Sequence, residues 1–157
     1  NLEKQFEPLI KDNSFYYLPA CKKFIAKDLM GIEIFEPNQF AIKQEYISTT
    51  IDVGNKIKSF LKKLNSQNPE LSYLLVIEGN MANTFDKRID KDENYGYLIS
   101  YQRALSVYKL WLRNNINFRD YNVEVMLCGS GFNGLCRDAI EENNKRFSIQ
   151  IIPKVSK

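Results

Sequence analysis

Four features of this chain have residue types and spacings that could do chemistry. Gly129-Ser130-Gly131-Phe132-Asn133-Gly134 follows an apolar run and matches G-x-G-x-x-G, the pattern that lets a backbone approach a dinucleotide pyrophosphate. Such a site needs a full helix after the last glycine, a further parallel strand and an acid about twenty residues on. Only about a dozen residues separate Gly134 from the last apolar alternation, so a glycine-rich turn between strands is the expectation. Asp90, Asp92 and Asn94 are spaced like the first ligands of a calcium loop. The sixth position is Tyr95 instead of glycine and the twelfth is Tyr101 instead of glutamate, which excludes an EF-hand. A solvated acidic loop is expected there, and no metal site. Cys21, Cys128 and Cys136 form no CxxC pair. Cys128 and Cys136 could meet around the glycine turn, but buried free thiols are the expectation. Histidine is absent altogether, which removes the Ser-His-Asp and Cys-His nucleophile pairs, histidine-ligated zinc and the commonest general base. The chain reads as a non-enzyme, with no catalytic residue and no cofactor.

Composition agrees with a folded binding module. The 157 residues include 13% aromatics, with 22 Lys+Arg against 19 Asp+Glu, enough for one domain with a real core. A net charge of +3, with bases scattered among acids, predicts no nucleic-acid partner. The densest basic group, Lys56, Lys58, Lys62 and Lys63, falls on a helical pattern and reads as a solvated face. The plain apolar run Leu74–Ile77 is too short to span a bilayer, so any membrane attachment is expected only through a segment outside Asn1–Lys157.

These residues must be positioned by a small set of elements. Leu2 to Ile10 suits a short lead-in helix, and Ser14 to Ala26 an irregular or hairpin-like entry. Gly31 to Phe35 alternates and predicts a strand, broken by Pro37. Ile47, Ile51, Ile57, Phe60, Leu61 and Leu64 mark a helix between about Lys43 and Leu64. Leu71 to Glu78 is apolar on both faces and predicts a central strand. A long polar loop from Gly79 to Tyr95 precedes a second helix, marked by the stripe Leu98, Tyr101, Leu105, Tyr108 and Leu112. Val123 to Cys128 and the alternating Arg146 to Ile152 are the last strands. The order is β-α-β-α-β-β, an α+β domain.

Three motifs lie in order on these elements. Ile77-Glu78-Gly79 ends a core strand, Ile99-Ser100-Tyr101-Gln102-Arg103-Ala104 lies on the second long helix, and Asn144-Lys145-Arg146-Phe147 opens the last strand. Together they resemble the OmpA-like domain, the peptidoglycan-binding family found at the C-terminus of outer-membrane protein A, lipoprotein Pal and the stator protein MotB. Its pattern is I-x-G-H-T-D, then N-x-x-L-S-x-x-R-A, then N-R-R-V. Phe35 to Lys43 resembles the family segment before the first helix, and the likeness runs from about Gly31 to Pro153.

The resemblance implies a two-layer sandwich, a mixed sheet with two main helices on one face, over residues 31–157, with residues 1–30 as a lead-in. It implies a cell-envelope module on the periplasmic side that anchors a protein to the wall by binding peptidoglycan. In the family an aspartate and an arginine clamp the diaminopimelate of the stem peptide. The matching arginine is Arg103, expected in the first turns of its helix, where the dipole also favours an anion. Asn80, Asn144 and Arg146 are the other ligand-binding candidates. Where the family has H-T-D this chain has Asn80-Met81-Ala82, and Gly96 replaces the helix asparagine. Asp86, Asp90 or Asp92 of the long loop is then the candidate substitute acid. The alternative is a stator-like interaction or scaffold domain of the same fold, able to form a homodimer, that has lost peptidoglycan binding.

Overall fold

The computed structural model describes residues 2–83 and 90–154. In chain order the elements are α1 (Leu2–Ile10), β1 (Phe15–Leu18), β2 (Lys23–Ala26), α2 (Ile47–Gln67), β3 (Ser72–Gly79), α3 (Asn94–Arg113), β4 (Val123–Gly129) and β5 (Phe147–Lys154). The strands form one sheet in the order β1-β2-β5-β3-β4. Only β3 and β4 run parallel, and every other neighbour pair is antiparallel. This is the expected α+β domain, a mixed sheet with its two main helices on one face.

The apolar character of β3 explains its central place. Tyr73, Leu75 and Ile77 point into the core under the helices. In register beside them lie Val123, Val125 and Leu127 of β4, and Ile151 and Ile149 of β5. The opposite face carries Leu74, Val76 and Glu78, which are only half-buried. Two glycines end this layer as a registered pair, Gly79 beside Gly129. A Cβ on Gly79 would stand 1.9 Å from the Ser100 carbonyl oxygen, and one on Gly129 would stand 2.3 Å from the Tyr101 nitrogen. Glycine at these strand ends is what allows α3 to lie directly on the backbone. Further along α3, Trp111 is fully buried, donates to the Thr50 carbonyl at 2.8 Å and meets Phe118 and Phe147 edge-on.

Three expectations need correction. Gly31 to Phe35 is not a strand: Phe35 makes an isolated bridge to Ile42, and Ile34 N–H donates to the Lys145 carbonyl just before β5. The sheet position beside β5 belongs to β2, because the Ser14–Ala26 segment is a true hairpin whose second strand pairs with β5. The face of α3 also differs. Gly96, Ser100, Arg103, Ala104, Val107, Leu110 and Trp111 are the buried residues, whereas Leu98, Tyr101 and Leu112 are exposed. Periodicity weights the largest apolar side chains, but close approach to the sheet selects the small ones. Finally, the thiols are not all free. Cys21, in the β1–β2 turn, is bonded to Cys136, and Cys128 is the free one.

Because the neighbour at Gly79 is backbone, it cannot rotate away. Gly79→Ala is expected to destabilise the fold by about 3 kcal/mol, read as a lower urea midpoint with an unchanged slope.

Candidate functional site

The sequence motifs converge on the guanidinium of Arg103. The side chain is 1% exposed and lies at the tenth residue of α3. It is therefore in the helix middle, away from the free N–H groups and dipole end expected to assist it. Its Nε donates to the Gln39 carbonyl at 2.7 Å, Nη1 to the Asn80 carbonyl at 2.6 Å and Nη2 to the Glu36 carbonyl at 3.2 Å. The carbon of the guanidinium sits 4.9 Å from the centre of the Phe35 ring, a cation–π distance. Burial lowers its pKa to about 10, which still leaves it charged at neutral pH. Among the described residues no carboxylate forms an ion pair with it.

Asn80 is the second member that the fold brings here. Its carbonyl receives Arg103, its backbone N–H donates to the Arg146 carbonyl at 3.1 Å, and its side-chain amide donates to Glu78 and Ser130. Glu78 in turn pairs with the nearly buried Lys23 at 3.0 Å, and Lys23 also donates to the Leu135 carbonyl. Sequence reasoning passed over Lys23 and Glu78. The one available signal was a carboxylate inside an otherwise apolar strand.

Asn144 and Arg146 sit beside this group and are occupied with their own loop. Asn144 accepts from the Asp138 N–H and donates to the carbonyls of Asp138 and Glu141, closing a tight 3₁₀ turn at Glu141–Asn144. Arg146 donates to the Cys136 carbonyl and stands 3.8 Å from Asp138, while its buried Nε has no partner among the described residues. Burial is the main cause of its lowered pKa, which Asp138 opposes. Arg137 and Glu141, also unforeseen, pair at 2.6 Å and grip the segment after Asn80. Arg137 donates to the Met81 carbonyl, and Glu141 accepts the Asn83 N–H at 2.8 Å.

Of the candidate substitute acids, Asp90 and Asp92 are not brought to Arg103. Asp90 and Asp92 are exposed, and Asp90 accepts the N–H of Asp92 in a turn that leads into α3. Asp86 lies outside the described residues. Gly96, at the family asparagine position, is held to glycine by the Phe132 ring, 2.8 Å from where a Cβ would stand. The glycine-rich segment is a turn with positive φ at Gly131 and Gly134, and a 3₁₀ turn rather than an α-helix lies between it and β5.

In front of the Arg103 carbonyl partners lies an open depression of about 1040 Å³ lined by Glu36, Pro37, Gln39, Ala41 and Lys43 among others. A second cavity of about 460 Å³ lies between α1 and α2, beside Leu9, Asp52 and Lys56, away from all three motifs.

No protein-family model matches the chain, and no curated protein matches its sequence. A solved structure of the periplasmic domain of Helicobacter pylori MotB (residues 97–256) is similar over 90% of this chain and 88% of that one, at 16% identity and a TM-score of 0.52. The chain has the OmpA-like fold. Two further structures show a weaker likeness. A longer periplasmic domain of MotB (residues 64–256) matches over 100% of this chain and 85% of that one, at 13% identity and a TM-score of 0.49. The peptidoglycan-associated lipoprotein from Burkholderia pseudomallei matches over 77% and 87%, at 16% identity and 0.43. At these identities the likeness is one of architecture. Within the OmpA-like fold of this chain, Arg103 ties the Phe35–Gln39 segment, the end of β3 and α3 into one unit.

That tie predicts a cost. Arg103→Met leaves three carbonyls without their donor and is expected to lower stability by about 3 kcal/mol in urea unfolding. Amide exchange should rise first in the Glu36–Ala41 segment.

Proposed function

We propose that the protein is a non-catalytic cell-envelope module on the periplasmic side that binds the stem peptide of peptidoglycan. The observation that carries this reading is the meeting of the sequence-matched segments on one buried guanidinium. The Phe35–Gln39 segment and Asn80 bond Arg103 directly, and Arg146 joins through the Asn80 N–H. Among the described residues three of the five N–H groups of the guanidinium are spent on carbonyls, with one further N–H on each terminal nitrogen. That pair is the fork with which arginine takes a carboxylate from two sides. In this reading the Glu36–Phe40 lip moves aside, its Glu36 and Gln39 carbonyls give up Nη2 and Nε, and the stem-peptide carboxylate takes their place. The disulfide between Cys21 and Cys136 supports an oxidising compartment.

A second reading has its own observation. The position of the family aspartate is Ala82, and no described carboxylate replaces it at Arg103. In this reading Arg103 is a purely structural tie, and the domain is an envelope scaffold that docks to protein instead of wall.

Co-sedimentation with purified sacculi separates the two. The peptidoglycan reading expects the protein in the pellet, released by excess free stem peptide. It also expects Arg103→Lys, which keeps the charge but loses the fork, to weaken pelleting by about tenfold or more. Protein that remains in the supernatant leaves the scaffold reading standing.

A further inference from the structure

Between β4 and β5 lies a segment that the core does not hold. Among the described residues the main core cluster takes no side chain between Leu127 and Phe147. From Asn133 to Asn143 no residue is buried, and the two large apolar side chains there, Leu135 and Ile140, are 71% and 60% exposed. A segment without buried apolar contacts sits at the low-stability end of a fold. Its cross-link is Cys136, bonded to Cys21 in the β1–β2 turn. That turn belongs to a hairpin rooted in the core by Phe15, Phe24 and Ala26. The bond therefore fastens a loosely held loop to a firmly held one.

The fastened loop in turn grips the stretch from Asn80 to Asn83. Arg137, next to Cys136, donates from Nη2 to the Met81 carbonyl at 2.8 Å, and Glu141 accepts the Asn83 N–H at 2.8 Å. The Cys136 carbonyl accepts Arg146, and the Leu135 carbonyl accepts Lys23. Cys136 itself has a φ of +59°, a left-handed conformation that an L side chain keeps only while its surroundings impose it. Asn80 opens the gripped stretch, and its carbonyl is the acceptor of Arg103 Nη1. One path of contacts thus runs from the sulfurs to the guanidinium.

We propose, on the stem-peptide reading above, that the Cys21–Cys136 bond is a redox latch on the Arg103 site. Oxidised, the latch keeps Asn80 to Asn83 where the Asn80 carbonyl aims the guanidinium at an incoming carboxylate. Reduced, it frees the 133–143 loop, the grip on Met81 and Asn83 opens, and the site binds more weakly.

The reductant is an external dithiol. Its thiolate attacks the Cys136 sulfur, since Cys136 is half-buried whereas Cys21 is buried, and the bond between the two cysteines breaks. Cys21 leaves as a thiolate and takes up a proton. The second thiolate of the reductant then attacks the mixed disulfide at the reductant's own sulfur. That step closes the reductant's disulfide and releases Cys136, which takes up the second proton. Two electrons and two protons pass from the dithiol to the cysteine pair. A bond across 115 residues also constrains the unfolded chain, so it stabilises the fold as a whole. What marks a latch is opening confined to the loop and to the stretch it grips.

The test reads amide exchange and affinity in a Cys128→Ser background, where Cys136 has no other thiol to pair with. On reduction by dithiothreitol, the Asn83 and Asp138 N–H groups, bonded to Glu141 and Asn144, are expected to lose their protection. Leu75 and Ile77, central in β3, should keep theirs. Cys21→Ser without reductant should show the same pattern, because it removes the bond and leaves Cys136 in place. Affinity for the tripeptide L-alanyl-γ-D-glutamyl-diaminopimelate should fall about fivefold or more on reduction. By reciprocity, saturating tripeptide should make the bond harder to reduce by the same factor, about 20 mV in midpoint potential. An Asn83 N–H that stays protected without the bond overturns the latch. So does loss of protection in β3 together with the loop, since the bond is then a staple of the whole fold. A tripeptide affinity unchanged by reduction overturns it too. Oxidised protein that binds neither sacculi nor tripeptide overturns the stem-peptide reading, and the regulation with it. The exchange measurement, made without ligand, tells that failure from a failure of the latch.

Discussion

A cation taken out of water, with no counter-charge beside it among the described residues, is the constraint around which this structure is arranged. The desolvation of a guanidinium is offset only while its hydrogen-bonding positions are filled, and here the partners are peptide carbonyls of Glu36, Gln39 and Asn80. Carbonyls belong to the backbone, so satisfying Arg103 fixes the path of two chain segments. The placement of Phe35 beneath the cation follows from the same bonds. The glycine pair at Gly79 and Gly129 is the complementary condition, since only bare backbone at those strand ends lets α3 come close enough for Arg103 to reach Asn80.

From Asn80 the arrangement spreads through polar contacts to the helix-free side of the sheet. Asn80 joins Glu78 and Ser130, Glu78 joins Lys23, and Lys23 reaches the segment that also contains Cys136, Arg137 and Asp138. That segment returns to the start of the site through Arg137 and Glu141 on Met81 and Asn83. The region around residues 78–83 is thus held from the helix side by one arginine and from the opposite side by a disulfide-pinned loop.

Much of this was legible in the sequence, and the exceptions share a physical character. β3 could be read because its burial pattern is local to eight residues, and Arg103 because its neighbours in sequence form a motif. The surroundings of Arg103 could not be read, because a carbonyl acceptor leaves no trace in residue type. The Lys23–Glu78 pair joins residues 55 apart, and the Cys21–Cys136 bond joins residues 115 apart. No periodicity encodes such distances. The inward face of α3 was misjudged for a related reason: Gly96, Ser100 and Ala104 matter because they are small, and a search for large apolar residues passes over them. Gly31 to Phe35 alternates like a strand, but alternation cannot tell which segment wins the one free place beside β5.

The bond between Cys21 and Cys136 also sets an order of events in the life of the chain. During synthesis from the N-terminus, the β1–β2 hairpin emerges long before its covalent partner. Its thiol has no native partner until nearly the whole domain has been made. By then Cys128, the other thiol, has emerged too, eight residues ahead of the correct partner. Cys128 stands on a strand held in register by β3, where burial raises its thiol pKa, Glu78 adds to the effect and Lys23 opposes it. With that strand in place, the third sulfur is held on the sheet, apart from the bond that joins the other two.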